Sequence, residues 1–296
     1  MSLYSLLGAF EIGLIFALVA LGVLISFRIL RFPDLTVDGS FPLGGAVAAT
    51  LIAAGTDPFS ATIAATLAGA LAGTITGWLN VRLRIMDLLA SILMMIALYS
   101  INLRIMGRPN VPLITEPTVF TLLKSEALAD YVFRPLLLVG VVLVAKLLLD
   151  WFFTTQTGLA MRATGSNPRM ARAQGVNTGW MILGGMALSN ALVGLAGALF
   201  AQTQGGADIS MGVGTIVIGL AAVIVGESIL PSRKLFLATL AVILGAIVYR
   251  FFIALALNSD FIGLQAQDLN LVTALLVTVA LVLPMIKRRI AGGKGN

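Results

Sequence analysis

Few side chains in this sequence could do polar chemistry in apolar surroundings. Glu11, Asn190, Gln202, Glu227 and Arg250 stand within long apolar runs, and Asp34, Asp38 and Asp208 stand close to where such runs begin. Polar and ionisable groups at such places are costly and face protein or water. Two roles fit them. One is hydrogen bonding between helices, with charged tips reaching for the interface. The other is the polar lining of a solute path, for which Asp34, Asp38, Asn190, Gln202, Asp208 and Arg250 are the candidates. Histidine and cysteine are both absent. That removes disulfides, zinc or haem held by these ligands, and Cys/His nucleophiles. No chain of carboxylates suits a proton relay. No Gly-Lys-Ser/Thr phosphate loop occurs, so ATP hydrolysis cannot come from this chain alone.

These groups need elements that cross a lipid bilayer. The chain is 59% hydrophobic and only 11% charged, with mean hydropathy +1.03; a soluble domain carries about 25% charged residues. Apolar runs fall at 3–27, 41–55, 59–80, 86–106, 135–154, 180–201, 211–230, 235–257 and 269–286. At roughly 20 apolar residues per crossing, the expectation is an all-α membrane protein, a polytopic bundle of about 8–10 transmembrane helices. The runs form a single transmembrane domain over 1–296. The 41–55 run is short for a crossing, which predicts a tilt or a broken segment before it. Residues 3–27 read as a retained span, because no Lys or Arg precedes Arg28 and no small-x-small cleavage site follows.

Charge gives an orientation. Arg28 and Arg31, Arg82 and Arg84, Arg162, Arg169 and Arg172, Arg233 and Lys234, and Lys287 to Lys294 fall in alternate breaks. The other breaks hold Asp57, Asp208, or Asp260 and Asp268, with a mixed long one at 107–134. Short cytoplasmic loops collect Lys and Arg, so the N-terminus is expected outside and the C-terminus in the cytoplasm. The net charge of +6 is then a matter of loops beside lipid, and nucleic acid is not an expected partner. The 107–134 stretch becomes an external loop, with Pro109, Pro112 and Pro117 and a short helix near 118–130. It is either a docking or gate-covering element or a plain connection. Gly69, Gly73 and Gly77 repeat every four residues and predict a close helix–helix contact.

The cytoplasmic loop at 155–178 has docking features. Asn167 suits an N-cap, Pro168 the first helical position, and Gly175 a C-terminal cap. The spacing predicts a short capped helix with Arg169 and Arg172 on one face. Those arginines either meet lipid phosphates or belong to a knob that seats in a cytoplasmic partner.

Residues Gly158, Arg162, Ala163, Gly165, Asn167, Pro168, Ala171, Gly175 and Val176 resemble the coupling-loop motif of permease subunits of bacterial ABC importers, in the family serving branched-chain amino acids, ribose-type sugars and related solutes. The segment Asp34-Leu35-Thr36-Val37-Asp38-Gly39-Ser40 is similar to that family's Asp-Leu-Ser-Val-Gly-Ser motif, with Asp38 as an extra residue. Leu35 to Ser40, with Asn110-Val111-Pro112-Leu113, also resembles a subgroup of short permeases labelled as tryptophan or tyrosine transporters. The resemblance covers nearly the whole chain. It implies a cobalamin-importer-like, type II bundle in the bacterial inner membrane. It implies an ATP-binding subunit gripping the loop, an external solute-binding protein, and a second permease copy or a paralogue. Within the loop, Gly158, Arg162, Ala163, Gly165, Asn167, Pro168, Arg169, Ala171, Arg172 and Gly175 are the expected coupling residues. ATP and Mg would sit in the partner, with no cofactor in this chain.

An internal repeat is also expected. Asp34-Leu35-Thr36 precedes a Gly-rich apolar run from Gly39, and Asp208-Ile209-Ser210 precedes another from Gly212. In the topology above they enter from opposite faces, the pattern of an inverted repeat. The function expected is therefore import of a small solute, an amino acid first, by an ABC permease. A sugar or nucleoside permease and an ion- or proton-coupled carrier are the alternatives. A membrane enzyme has no paired acids, metal-ligand set or nucleophile to support it.

Overall fold

A computed structural model describes residues 3–124, 129–232 and 234–257, with Thr278 and Val282. The chain begins with α1, Leu3–Val23, which runs on into a π-helical turn, Leu24–Ile29. Then follow α2 (Val37–Ala53), α3 (Pro58–Leu83), α4 (Asp87–Met106), β1 (Asn110–Pro112), α5 (Val119–Leu122), α6 (Asp130–Thr154), α7 (Gln156–Ser166), α8 (Pro168–Ala173), α9 (Thr178–Gln204), β2 (Gly206–Asp208), α10 (Thr215–Ile229) and α11 (Leu235–Leu257). Among the described residues, six helices are long and apolar enough to cross a membrane: Leu6–Ile29, Pro58–Leu83, Asp87–Met106, Tyr131–Thr154, Thr178–Gln204 and Leu235–Leu255. The multi-pass all-α expectation holds. The apolar run expected at 269–286 lies outside the described residues, save Thr278 and Val282.

The two remaining apolar helices differ in kind. At 1.5 Å per residue, α2 and α10 are about 25 and 22 Å long, short of a hydrocarbon core of about 30 Å. Each follows irregular backbone, at 30–36 and at 209–214. The broken segment foreseen before 41–55 is present, but the helix itself starts at Val37. Pro42 does not delay it, because a proline two turns into a helix removes one hydrogen bond, the one to the carbonyl of Asp38.

Helix α1 is apolar on all sides and is the centre of the bundle. Residues 13–26 are all buried, packed among α6, α9, α10 and α11, as a helix with no polar face must be. One of these neighbours, α9, runs antiparallel to α3 in close contact. A Cβ added at Gly73 would lie 2.1 Å from the Met186 carbonyl oxygen, and one at Gly69 would lie 2.3 Å from that of Asn190. The four-residue glycine repeat is the face on which α9 rests.

Two expectations about connections need correction. The helix foreseen near 118–130 is one turn, Val119–Leu122, opened by a Thr118–Thr121 capping box, and α6 already begins at Asp130 with Pro135 inside it. Second, the segment before Asn167 is not a loop. Thr155 accepts from the Gly158 N–H and starts the 11-residue helix α7. At the end opposite the arginines, β1 and β2 pair antiparallel, Asn110 facing Asp208.

Candidate functional site

Irregular backbone inside an apolar bundle must find partners for its polar groups. The 30–36 segment leaves the π-helical turn, reverses at Arg31 with φ +58°, and returns into the bundle. Asp34 then accepts from its own Thr36 N–H at 3.0 Å and from the Asn190 amide on α9 at 2.8 Å. The Thr36 and Thr76 hydroxyls are 2.9 Å apart, which ties the segment to α3. Ser91 of α4 donates to the Pro33 carbonyl at 3.2 Å, and Asn102 of α4 donates to that of Gly39 at 3.1 Å. Asp34, Thr36, Thr76, Ser91, Asn102 and Asn190 are all fully buried. Of the path candidates, Asp34 and Asn190 are thus in direct contact.

Asp38 lies one turn further on and reaches elsewhere. Its Oδ1 accepts from the Ile216 N–H at 2.7 Å and its Oδ2 from the Gly214 N–H at 3.3 Å. Helix α10 begins after Gly214, φ +80°, with no side-chain cap from its own sequence. The residue that is extra to the Asp-Leu-Ser-Val-Gly-Ser pattern therefore caps a helix about 176 positions away. Gly212 fits the notch that Pro42 leaves, where a Cβ would lie 2.1 Å from the Asp38 carbonyl oxygen.

The start of the α10 half has the same local turn as the start of the α2 half. Asp208 Oδ1 accepts from the Ser210 N–H at 2.8 Å, as Asp34 does from Thr36. The Ser210 hydroxyl donates to the same carboxylate and holds Asp208 below the usual carboxylate range.

The other path candidates stand apart. Gln202 donates to Thr62 at 2.9 Å and accepts from the Val119 N–H at 2.9 Å, fastening α5 to α3 and α9. Arg250 lies between α1 and α11, its guanidinium 4.4 Å from the centre of the Phe16 ring, with Nε unpartnered. Phe16 stacks on Phe41 at 5.7 Å. Glu11 also has an unpartnered buried oxygen. Glu227 pairs with Arg28 at 2.7 Å, joining the foot of α10 to the π-helical turn.

At the arginine-rich end, α7 and α8 sort the coupling candidates into two sets. Gly158, Gly165 and Ala171 face protein. A Cβ at Gly165 would lie 1.7 Å from the Ile29 carbonyl oxygen, and one at Gly158 2.2 Å from that of Phe152. Arg162, Ala163, Asn167, Pro168, Arg169, Arg172 and Gly175 are exposed. Asn167 accepts from the Met170 N–H at 3.1 Å. Gly175, φ +84°, closes α8 with the Val176 N–H returning to the Ala171 carbonyl at 3.0 Å. The result is a short capped helix carrying exposed arginines, which follows α7, whose glycines pack on the π-helical turn and on the end of α6.

Sequence reasoning missed Thr76 and Ser91 as partners of the 30–36 segment, and Asn102 as a partner of the head of α2. It also missed a charged pair on α6. Lys146 is buried, pairs with Asp150 four residues on, and lies 3.5 Å from the centre of the Phe236 ring. Asp150 also accepts from Thr239 at 2.8 Å. The Lys-x-x-x-Asp spacing was the available signal. Beside this, an apolar groove of about 1030 Å³ separates α6 from α3 and α9, running from Phe59 and Val119 to Thr157 and Trp180.

Residues 5–283 match the family model described as branched-chain amino acid transport system, permease component. The chain is similar to a tyrosine transport system permease protein of Clostridioides difficile, 38% identical over 265 residues, covering 90% of this chain and 86% of that protein. It is similar to an uncharacterized protein of Rickettsia prowazekii, 34% identical over 280 residues, covering 93% and 96%. A nucleoside ABC transporter permease protein of Lactococcus lactis is 32% identical over 124 residues, 41% of this chain and 37% of that one. No solved structure matches.

Proposed function

The chain belongs to the family of branched-chain amino acid transport system permease components, and from that premise we propose that it is the membrane subunit of an ATP-driven importer for an amino acid, with tyrosine the first solute to try. The solute rests on the similarity to the tyrosine permease. The observation that carries the coupling half of the proposal is the exposed, doubly capped α8, which follows directly on α7, the helix whose Gly165 packs on the Ile29 carbonyl. The two arginines of α8, Arg169 and Arg172, face away from the bundle, where a separate ATP-binding subunit can grip them. ATP binding in that subunit must favour one state of the permease over another.

In this reading the arginine-rich end is cytoplasmic, the C-terminus lies on that side, and the membrane is the bacterial inner membrane. An external solute-binding protein docks on the opposite end, around 107–124 and the β1–β2 pair. A second copy of the chain, or a paralogue, completes the path. The paired turns at Asp34 and Asp208, each ahead of a half-length helix, support an inverted repeat in a type II bundle. An ion-coupled carrier is disfavoured, since the buried Asp34 and the half-buried Asp38 are each engaged by donors from other elements, and no carboxylate cluster occurs among the described residues.

The test is co-purification and uptake. The ATPase encoded with this chain should co-purify with it, and Arg169→Glu should weaken that association with the permease still monodisperse in detergent. Ala171→Trp, at a position that is 4% exposed, should lift α8 and abolish tyrosine uptake. An unchanged pull-down and unchanged uptake in both variants would refute the assignment of α8.

A further inference from the structure

We infer that the Asp38 carboxylate is a latch, a positioning group that fastens the head of α10 to the head of α2 in the state described, and that transport requires this joint to open and remake. The inference rests on the permease reading above.

Four observations carry it. First, the cap comes from another element. The Gly214 and Ile216 N–H groups at the start of α10 would lose their acceptor without Asp38, and a helix end without partners inside a bundle is costly. Second, Asp38 sits in the first turn of α2, so one negative charge serves the positive ends of two helices. Third, the neighbouring contacts can slide. Gly212 rests against Asp38 and Pro42, and the Met211 methyl lies against Gly45; methionine is unbranched and refits easily. Asp38 therefore supplies the directional bonds of the joint.

Fourth, the two heads are wired to opposite faces. The head of α2 leads back through Asp34, the reversal at Arg31 and the π-helical turn to Ile29, on which Gly165 presses. Single π-helical turns are frequent at functional sites. The head of α10 leads through Asp208–Ser210 to the β1–β2 pair at the other end. The foot of α10 returns to the π-helical turn through Glu227 and Arg28. A displacement of α7 is thus delivered at Asp38, and so is a displacement of the β1–β2 pair. An element whose equilibrium both faces bias is the physical requirement for coupling between them.

The absence of cysteine makes a direct test possible. A Cβ at position 45 would lie 2.0 Å from the Met211 methyl carbon, so positions 45 and 211 are within one methionine side chain of each other. Gly45→Cys with Met211→Cys, bridged by a short bis-methanethiosulfonate that forms a disulfide to each thiol and releases sulfinate, locks the joint until it is reduced. The assay is labelled tyrosine uptake in proteoliposomes holding the permease with its ATPase and binding protein. Wild-type uptake and ATPase co-purification are measured first, so failure of the permease reading shows before any bridging. Bridging should lower uptake about tenfold or more, with recovery on reduction, while ATP hydrolysis continues. Asp38→Asn, which keeps one of the two acceptor oxygens but not the charge, should lose less of the maximal uptake rate than Asp38→Ala, and neither should change the half-saturating tyrosine concentration. Bridged protein that transports at its reduced rate, or equal rates for the Asn and Ala variants, would overturn the latch.

Discussion

Asn190 donates its side-chain amide to the Asp34 carboxylate at 2.8 Å, with both residues fully buried in the bundle. The bond joins the irregular 30–36 segment to the middle of α9. Removing the donor leaves a buried acceptor oxygen without its partner, which costs about 1–3 kcal/mol and more for a charged group. Asn190→Ala should therefore lower the thermal midpoint in detergent, read by size-exclusion fluorescence. Asp34→Asn keeps a polar partner in place and should lower it less. Equal midpoints for wild type and Asn190→Ala would contradict this account.

The glycine face of α3 makes a graded prediction. At Gly73 a methyl group would meet the Met186 backbone oxygen at 2.1 Å, whereas at Gly77 its nearest neighbour would be Leu183 Cα at 3.3 Å. Backbone cannot move aside as a side-chain tip can, and overpacking costs about 1–3 kcal/mol. Gly73→Ala should destabilise by that order and Gly77→Ala by clearly less, measured as thermal midpoints in one detergent. Gly140→Ala, with nothing within 4 Å, is the neutral control.

Much of this was readable in advance for physical reasons. Apolar run length located the crossings, and the four-residue spacing of Gly69, Gly73 and Gly77 located a helix contact, because both signals are local. Asn167, Pro168 and Gly175 announced α8, since caps are side-chain chemistry within one turn. What escaped was the pairing of distant residues. Nothing near Asp38 in the chain says that its acceptor atoms serve Gly214 and Ile216. Likewise Thr76 and Asn102 look like ordinary polar residues in spans until the 30–36 segment and the head of α2 fold against them. Helix α7 escaped because its mixed composition carries no apolar stripe long enough to reveal it.

The Lys146–Asp150 pair predicts a contrast between breaking and replacing. Lys146 is 2% exposed. Asp150→Ala would leave its ammonium beside the Phe236 ring without a counter-charge. Breaking a buried pair costs about 3–5 kcal/mol, while replacing both partners with packed apolar groups is often neutral or stabilising. Asp150→Ala should thus melt well below wild type, and Lys146→Met with Asp150→Leu should melt close to it. A double variant as unstable as the single would show that the pair itself holds α6 against α11.

Gly165 and Ala163 are two positions apart on α7, yet they should behave oppositely. Ala163 is exposed, and Ala163→Ser adds one hydroxyl to a polar surface. A methyl at Gly165 would lie 1.7 Å from the Ile29 carbonyl oxygen, so Gly165→Ala must push α7 off the π-helical turn. That turn is the root of the segment bearing Asp34 and Asp38. A shift there worth about 1.4 kcal/mol between two states changes their ratio tenfold. Gly165→Ala should therefore lower tyrosine uptake by roughly that factor at equal protein in the membrane, with the ATPase still bound, because the exposed arginines of α8 are untouched. Ala163→Ser should transport as wild type. If Gly165→Ala transports normally, the contact with Ile29 carries no motion. If it loses the ATPase as well, α7 serves docking and not transmission.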